Sequence, residues 1–219
     1  MAGTRPRRGA PLKTEVSARE RILTTASELF YRKGIRAIGV DTVVARSGVS
    51  KTSLYRLFES KDALIAAFAA EQDRLFWARW DRIEELHADD PRALLEALLS
   101  GIAQRIARPG YRGCPFLNVA TEFPDHDHPG RVVARSNKEE MRARLATIVA
   151  QLGASEPNRV ASQIALVING AYATGLMTAP ADLKNDLVDA AMRLVPVRTS
   201  KRPHRPILER LAPRHCRSC

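Results

Sequence analysis

The side chains best suited to chemistry on a polyanion lie between Ser50 and Phe58, just after Gly48. At about 100° per residue, a helix there turns Leu54, Leu57 and Phe58 to one side and Lys51, Thr52, Tyr55 and Arg56 to the other. Arginine and lysine reach guanine edges or phosphates, and a tyrosine hydroxyl reaches a phosphate. A second group occupies residues 113–130, GCPFLNVATEFPDHDHPG, where Cys114, Glu122, Asp125, His126, Asp127 and His128 are all metal-capable types. Zinc or a similar ion needs three or four of them convergent. Asp125, Asp127 and His128 also suit a loop and helix cap ahead of Pro129, and that is the expected role. Metal sensing through Cys114, His126 and His128 is the alternative, and Cys114 as a nucleophile beside His126 a weaker one. Near the C-terminus His215, Cys216 and Cys219 form a C-x-x-C without a second half.

The chain shows no P-loop, dinucleotide glycine motif, nucleophile elbow or H-E-x-x-H. The expectation is a protein that is not an enzyme, with no cofactor and no bound metal. Hydrophobic residues make up 45% of the 219 and charged residues 27%, the values of a folded globular chain. No uninterrupted apolar run approaches the ~20 residues of a membrane span, and no apolar segment follows the N-terminal arginines, so neither a membrane partner nor a secretory signal is expected. Three cysteines are too few for a disulfide framework, and a cytoplasmic location is expected. The net charge of +11 is uneven: +4 over residues 1–19, +3 over 20–62, −2 over 63–197 and +6 over 198–219. A near-neutral body with basic ends fits a polyanionic partner on one end of the molecule.

The elements that must position these residues are all helical. Residues 1–16 hold prolines and glycines without apolar periodicity and are expected to be a disordered basic arm. Ser17 with Glu20 forms a capping box ahead of Ile22, Ala26, Leu29 and Phe30, and the helix stops at Gly34. A short helix follows over Val40 to Ser47, then a turn at Gly48-Val49, then a helix capped by Ser50. Ser60 opens a long helix to about His87, and Asp90-Pro91 opens another to about Arg108. Further helices are expected at about 116–123, 129–152, 156–178 and 181–195, and a disordered basic tail over 196–219. The fold class is all-α, with about nine helices.

Helix, tight turn and helix over residues 40–58 have the spacing of a helix-turn-helix, with Val43, Val44 and Val49 filling the gap between the two. Residues 18–68, through ASELFYRKG and RSGVSKTSLYRLFESKDAL, resemble the N-terminal domain of the TetR/AcrR family of transcriptional regulators. That resemblance implies a DNA-binding domain over 17–62 and an effector-binding and dimerisation domain over 63–195. It places Ser50, Lys51, Thr52, Ser53, Tyr55 and Arg56 at operator contacts and Lys61 at a phosphate contact. It implies a homodimeric repressor on a palindromic operator of double-stranded DNA, released by a small-molecule effector. Two positions depart from the family pattern: Gly39 replaces a usual capping threonine, and Thr52 a usual small residue.

In the second half, aromatic and mixed polar residues suggest an effector pocket built from Trp77, Trp80, Tyr111, Cys114, Phe116, Asn118 and Met141, with Phe76, Phe123 and Leu145 nearby. The 156–178 helix is apolar over more than one face. Its Gly170, Ala171, Ala173 and Gly175 permit close approach of another helix. With Leu183, Leu187, Ala190, Ala191 and Leu194 of the last helix, a four-helix dimer interface is expected.

Overall fold

The computed structural model describes residues 16–178 and 182–196. Most of the expected arm and tail, with His215, Cys216 and Cys219, lies outside the described residues. Nine helices and no strand occur among those described: α1 (Ala18–Lys33), α2 (Val40–Ser47), α3 (Lys51–Leu57), α4 (Lys61–Leu86), α5 (Pro91–Ile106), α6 (Pro115–Glu122), α7 (Pro129–Gln151), α8 (Pro157–Met177) and α9 (Leu183–Met192).

Their boundaries follow local chemistry. Ser17, Ser50 and Ser60 each accept a backbone N–H three residues on, at 3.1, 3.2 and 3.0 Å. Asp90 accepts from both Arg92 and Ala93. Proline opens α5, α6, α7 and α8, where its missing N–H has no partner to lose. The last helix is shorter than expected, starting at Leu183 after Asp182 and ending at Met192.

The first three helices close around Ile22, Ala26, Phe30, Val43, Leu54 and Phe58. The N-terminal half of α4 completes this core with Leu64, Ile65 and Phe68, and Phe30 meets Phe68 edge-on at 5.7 Å between ring centroids. The rest of α4 runs on into a second bundle with α5 to α9, packing chiefly on α7, which in turn packs on α8. One continuous core therefore joins the two parts.

α8 is the one helix among the described residues with the length and hydropathy to cross a membrane. Ile164, Ile168, Ala171, Tyr172 and Gly175 are buried inside the bundle. This corrects the expected use of two of its four small residues, Ala171 and Gly175. A Cβ at Gly175 would collide with Ile106 Cγ2, so Gly175 is a notch for α5 of the same chain. Ala171, Leu187 and Ala191 are likewise internal. The face left outward carries Leu166, Gly170, Ala173 and Met177, with Leu166 69% and Met177 75% exposed.

Candidate nucleic-acid interface

The turn between α2 and α3 rests on Gly48, whose φ of 66° lies in the left-handed region that a glycine adopts without steric cost. Its N–H reaches Val44 O at 3.2 Å. Val43 and Val49 are buried in the gap between the helices and Val44 is half-buried. Gly39, at the start of α2, supplies no side-chain cap. At the start of α3 the Ser50 hydroxyl accepts Ser53 N–H and donates to Ser53 Oγ at 3.0 Å. Leu54 and Phe58 are buried and Leu57 half-buried, while Lys51, Thr52, Tyr55 and Arg56 are exposed. The predicted faces are therefore those observed, with Ser50 capping α3 and its hydroxyl bonded to Ser53.

The electrostatics of this face are uneven. Lys51 Nζ lies 2.8 Å from Asp41 Oδ1 on α2, and this hydrogen bond raises its ammonium above the ordinary lysine range. Arg56 has no carboxylate partner among the described residues. Lys61 is half-buried in the first turn of α4; burial pushes it below the ordinary value, against the pull of Glu122 and Asp62 and with the push of Arg36.

The metal-capable residues are brought into separate roles. Glu122 accepts the backbone N–H of Ile35 at 3.0 Å and of Arg36 at 2.7 Å, which ties α6 to the α1–α2 turn. Asp125 accepts Asp127 N–H. His128 caps α7 by accepting Gly130 N–H at Nδ1, stacks on Phe123 at 4.1 Å, and brings Nε2 within 3.4 Å of Asp62. Cys114 is the buried N-cap of α6, and His126 is exposed. Among the described residues no three of the His, Cys, Asp and Glu side chains gather in a way that could hold a metal ion. A second tie to the first bundle runs through Tyr31, whose hydroxyl donates to Gly113 O and accepts Arg112 N–H.

The seven expected effector residues do not line one cavity. Trp77 and Trp80 meet edge-on at 5.6 Å, and Phe76 links them to Phe116. Trp77 donates to Asp73, which also accepts from Asn137, and Arg144 lies over the Trp77 ring at 4.3 Å. Met141, Cys114 and Phe116 are buried core. Asn118 holds the 112–113 loop by donating to Arg112 O, and the Tyr111 hydroxyl donates to Tyr172 O. An open groove of about 400 Å³ runs between α1, α4 and α5, and a smaller aromatic cavity of about 70 Å³ lies behind it. Both are lined by Arg79, Gly101 and Arg105, which sequence reasoning missed. The available signal was one arginine a turn beyond a glycine in the otherwise apolar stripe of α5.

Residues 22–68 match the family described as bacterial regulatory proteins, tetR family, and residues 91–195 match the tetracyclin repressor-like C-terminal domain. The HTH-type transcriptional repressor Rv3405c of Mycobacterium tuberculosis is 31% identical over 147 residues, covering 65% of this chain and 74% of that protein. The solved structure of a TetR-family transcriptional regulator from Streptomyces coelicolor aligns with a TM-score of 0.77 at 28% identity, over 81% of this chain and 93% of that one. A TetR transcriptional regulator of Streptomyces avermitilis aligns with a TM-score of 0.69 at 35% identity, over 80% and 98%. The chain belongs to the TetR family of bacterial regulatory proteins and is a DNA-binding transcriptional regulator.

Proposed function

We propose that the chain is a cytoplasmic homodimeric repressor that binds a palindromic operator through residues 17–62 and is released by a small molecule bound within residues 63–195. The observation that carries the reading is the rigid outward face of α3: Thr52, Tyr55 and Arg56 stand exposed on a helix whose other side is buried. Ser50, Lys51, Thr52, Ser53, Tyr55 and Arg56 are the proposed operator contacts, with Lys61 at a phosphate. Two such helices about 34 Å apart enter successive major grooves of a two-fold site. The outward face of α8, with Leu166, Gly170, Ala173 and Met177, and Ala190 of α9 supply the surface for the second copy. The name of the M. tuberculosis relative supports repression.

The test is footprinting of genomic fragments with the purified protein, followed by affinity measurement on the selected site for Arg56→Glu and Lys51→Glu. Charge reversal is expected to abolish sequence-selective binding while helicity stays at the wild-type level. Unchanged selectivity in both variants overturns the reading. Release by an effector is tested by titrating the same complex with candidate small molecules; a complex insensitive to all of them removes that part.

A further inference from the structure

Four arginines line the groove between α1, α4 and α5: Arg32 beside Glu28 on α1, and three from the second bundle, Arg79 from α4, Arg105 from the last turn of α5, and Arg108 just beyond it. Arg79 and Arg108 are exposed and Arg105 half-buried, and among the described residues none of these three pairs with a carboxylate. Desolvation against the groove wall, then the neighbouring Arg105 and Arg108, push the Arg79 guanidinium below its ordinary value, against the pull of Tyr172. The one carboxylate on the groove wall, Glu28, lies 3.7 Å from Arg32 on its own helix. Two further polar atoms here are buried and unpartnered: Ser27 Oγ, on the groove wall, and Trp80 Nε1, whose residue lines the inner cavity. The tyrosine hydroxyls at this place are engaged, Tyr31 with Gly113 and Tyr111 with Tyr172. The site is thus rich in free donors, two of them buried, and poor in anionic acceptors.

Groove and cavity adjoin: Arg79, Gly101 and Arg105 stand in the walls of both, and a Cβ at Gly101 would meet Ile83 Cδ1 of the inner cavity at 3.4 Å. Beyond the arginines the inner wall is aromatic and aliphatic, with Phe76, Trp80, Leu98 and Tyr172. The groove falls within the ~300–1,000 Å³ of small-molecule sites, and the inner cavity takes the end of an alkyl chain or the edge of a ring. No residue of α2 or α3 lines either space, which separates them from the DNA-facing surface.

We propose that groove and cavity form one binding site for a small organic anion, its carboxylate or phosphate held by Arg79, Arg105 and Arg108 and its apolar body lodged against Phe76, Trp80 and Tyr172. This rests on the proposed placement of the effector in the second bundle and names its chemical class. Guanidinium groups suit both carboxylate and phosphate because their donors form a planar fork.

Trp80 makes the test direct, since the chain has two tryptophans and one lines the site. The full-length protein is titrated by tryptophan fluorescence, to millimolar concentration, with phenylacetate, octanoate and phenyl phosphate. Phenylacetamide, octanamide and inorganic phosphate serve as controls. At least one organic anion is expected to saturate about ten-fold more tightly than its uncharged analogue and than inorganic phosphate. The carboxylate and phosphate arms show which head group is preferred. Arg105→Gln is expected to weaken that anion about ten-fold or more, and Gly101→Leu to weaken it by filling the space where groove and cavity meet, both with wild-type helicity and operator affinity. Equal binding of the amides, no binding of any anion, or unchanged binding by an Arg79→Gln/Arg105→Gln double variant overturns the proposal. Loss of operator affinity in Arg105→Gln without ligand assigns the groove to DNA phosphates and also overturns it. An anion that binds the wild type, fails in Arg105→Gln and leaves the operator complex intact upholds the site while removing the effector reading. A neutral molecule that releases the operator equally well from the double variant does the reverse.

Discussion

Replacing Glu122 by alanine removes the clamp between α6 and the α1–α2 turn. The carboxylate accepts two backbone N–H groups, from Ile35 at 3.0 Å and Arg36 at 2.7 Å. The two losses are unequal. Arg36 is exposed, so water takes over its N–H at little cost. Ile35 is 1% exposed, and its N–H loses a charged acceptor that water replaces poorly. A hydrogen bond to a charged group is worth about 1.5–3 kcal/mol, which puts Glu122→Ala at about 2 kcal/mol of lost stability, nearly all through Ile35. For a chain of this size each kcal/mol lowers Tm by about 2–4 °C, giving a fall of about 4–8 °C. Glu122→Gln keeps a neutral acceptor and is expected to lose about half as much. Urea unfolding at fixed protein concentration reads the free energy, and hydrogen exchange at the Ile35 amide reads the local opening. Stability within about 0.5 kcal/mol of wild type, with Ile35 exchange unchanged, refutes the reasoning.

Asp41→Asn frees Lys51 from its ion pair and removes a negative charge beside α3. Operator affinity is expected to rise several-fold, with the log–log salt slope steeper by about 0.9; fluorescence anisotropy at several salt concentrations checks it, and an unchanged slope shows that Lys51 meets no phosphate. Gly175→Ala would ordinarily gain about 1 kcal/mol of helix propensity. Against Ile106 it is expected to cost about 1–3 kcal/mol instead, read by urea unfolding. The Glu71 carboxyl is held below its ordinary value of 4.5, first by its hydrogen bonds from Arg74 and against the upward push of burial. A depressed folded value means that its stabilisation is present above pH 4.5 and is lost as pH falls through that lower value. The stability difference between wild type and Glu71→Gln is therefore expected to shrink on acidification, as followed by urea unfolding across pH.

What was legible in the sequence is what local chemistry decides. Ser17, Ser50, Ser60 and Asp90 announce helix starts because a cap and its N–H lie two or three residues apart. The inward turn of Leu54 and Phe58 follows from helical periodicity alone. Long-range choices were not legible. Glu122 sits in a run of metal-capable residues, yet its partners are 86 and 87 positions away. Gly175 does signal close helix approach, but the sequence does not say that the approaching helix is α5 of the same chain rather than a second copy. Arg79 and Arg105 belong to different helices, and only the packing of α4 on α5 brings them to one opening.

α3 has seven residues, well below the ~12–15 at which an isolated helix holds its shape in water. It is nonetheless complete before any duplex arrives, because its anchors are Ser50, Ser53, Leu54 and Phe58. None of these is among Thr52, Tyr55 and Arg56, the exposed side chains proposed to meet the operator. Heritable change can therefore rewrite those positions and send the regulator to new genes, while the scaffold that displays them keeps its thermodynamic reserve.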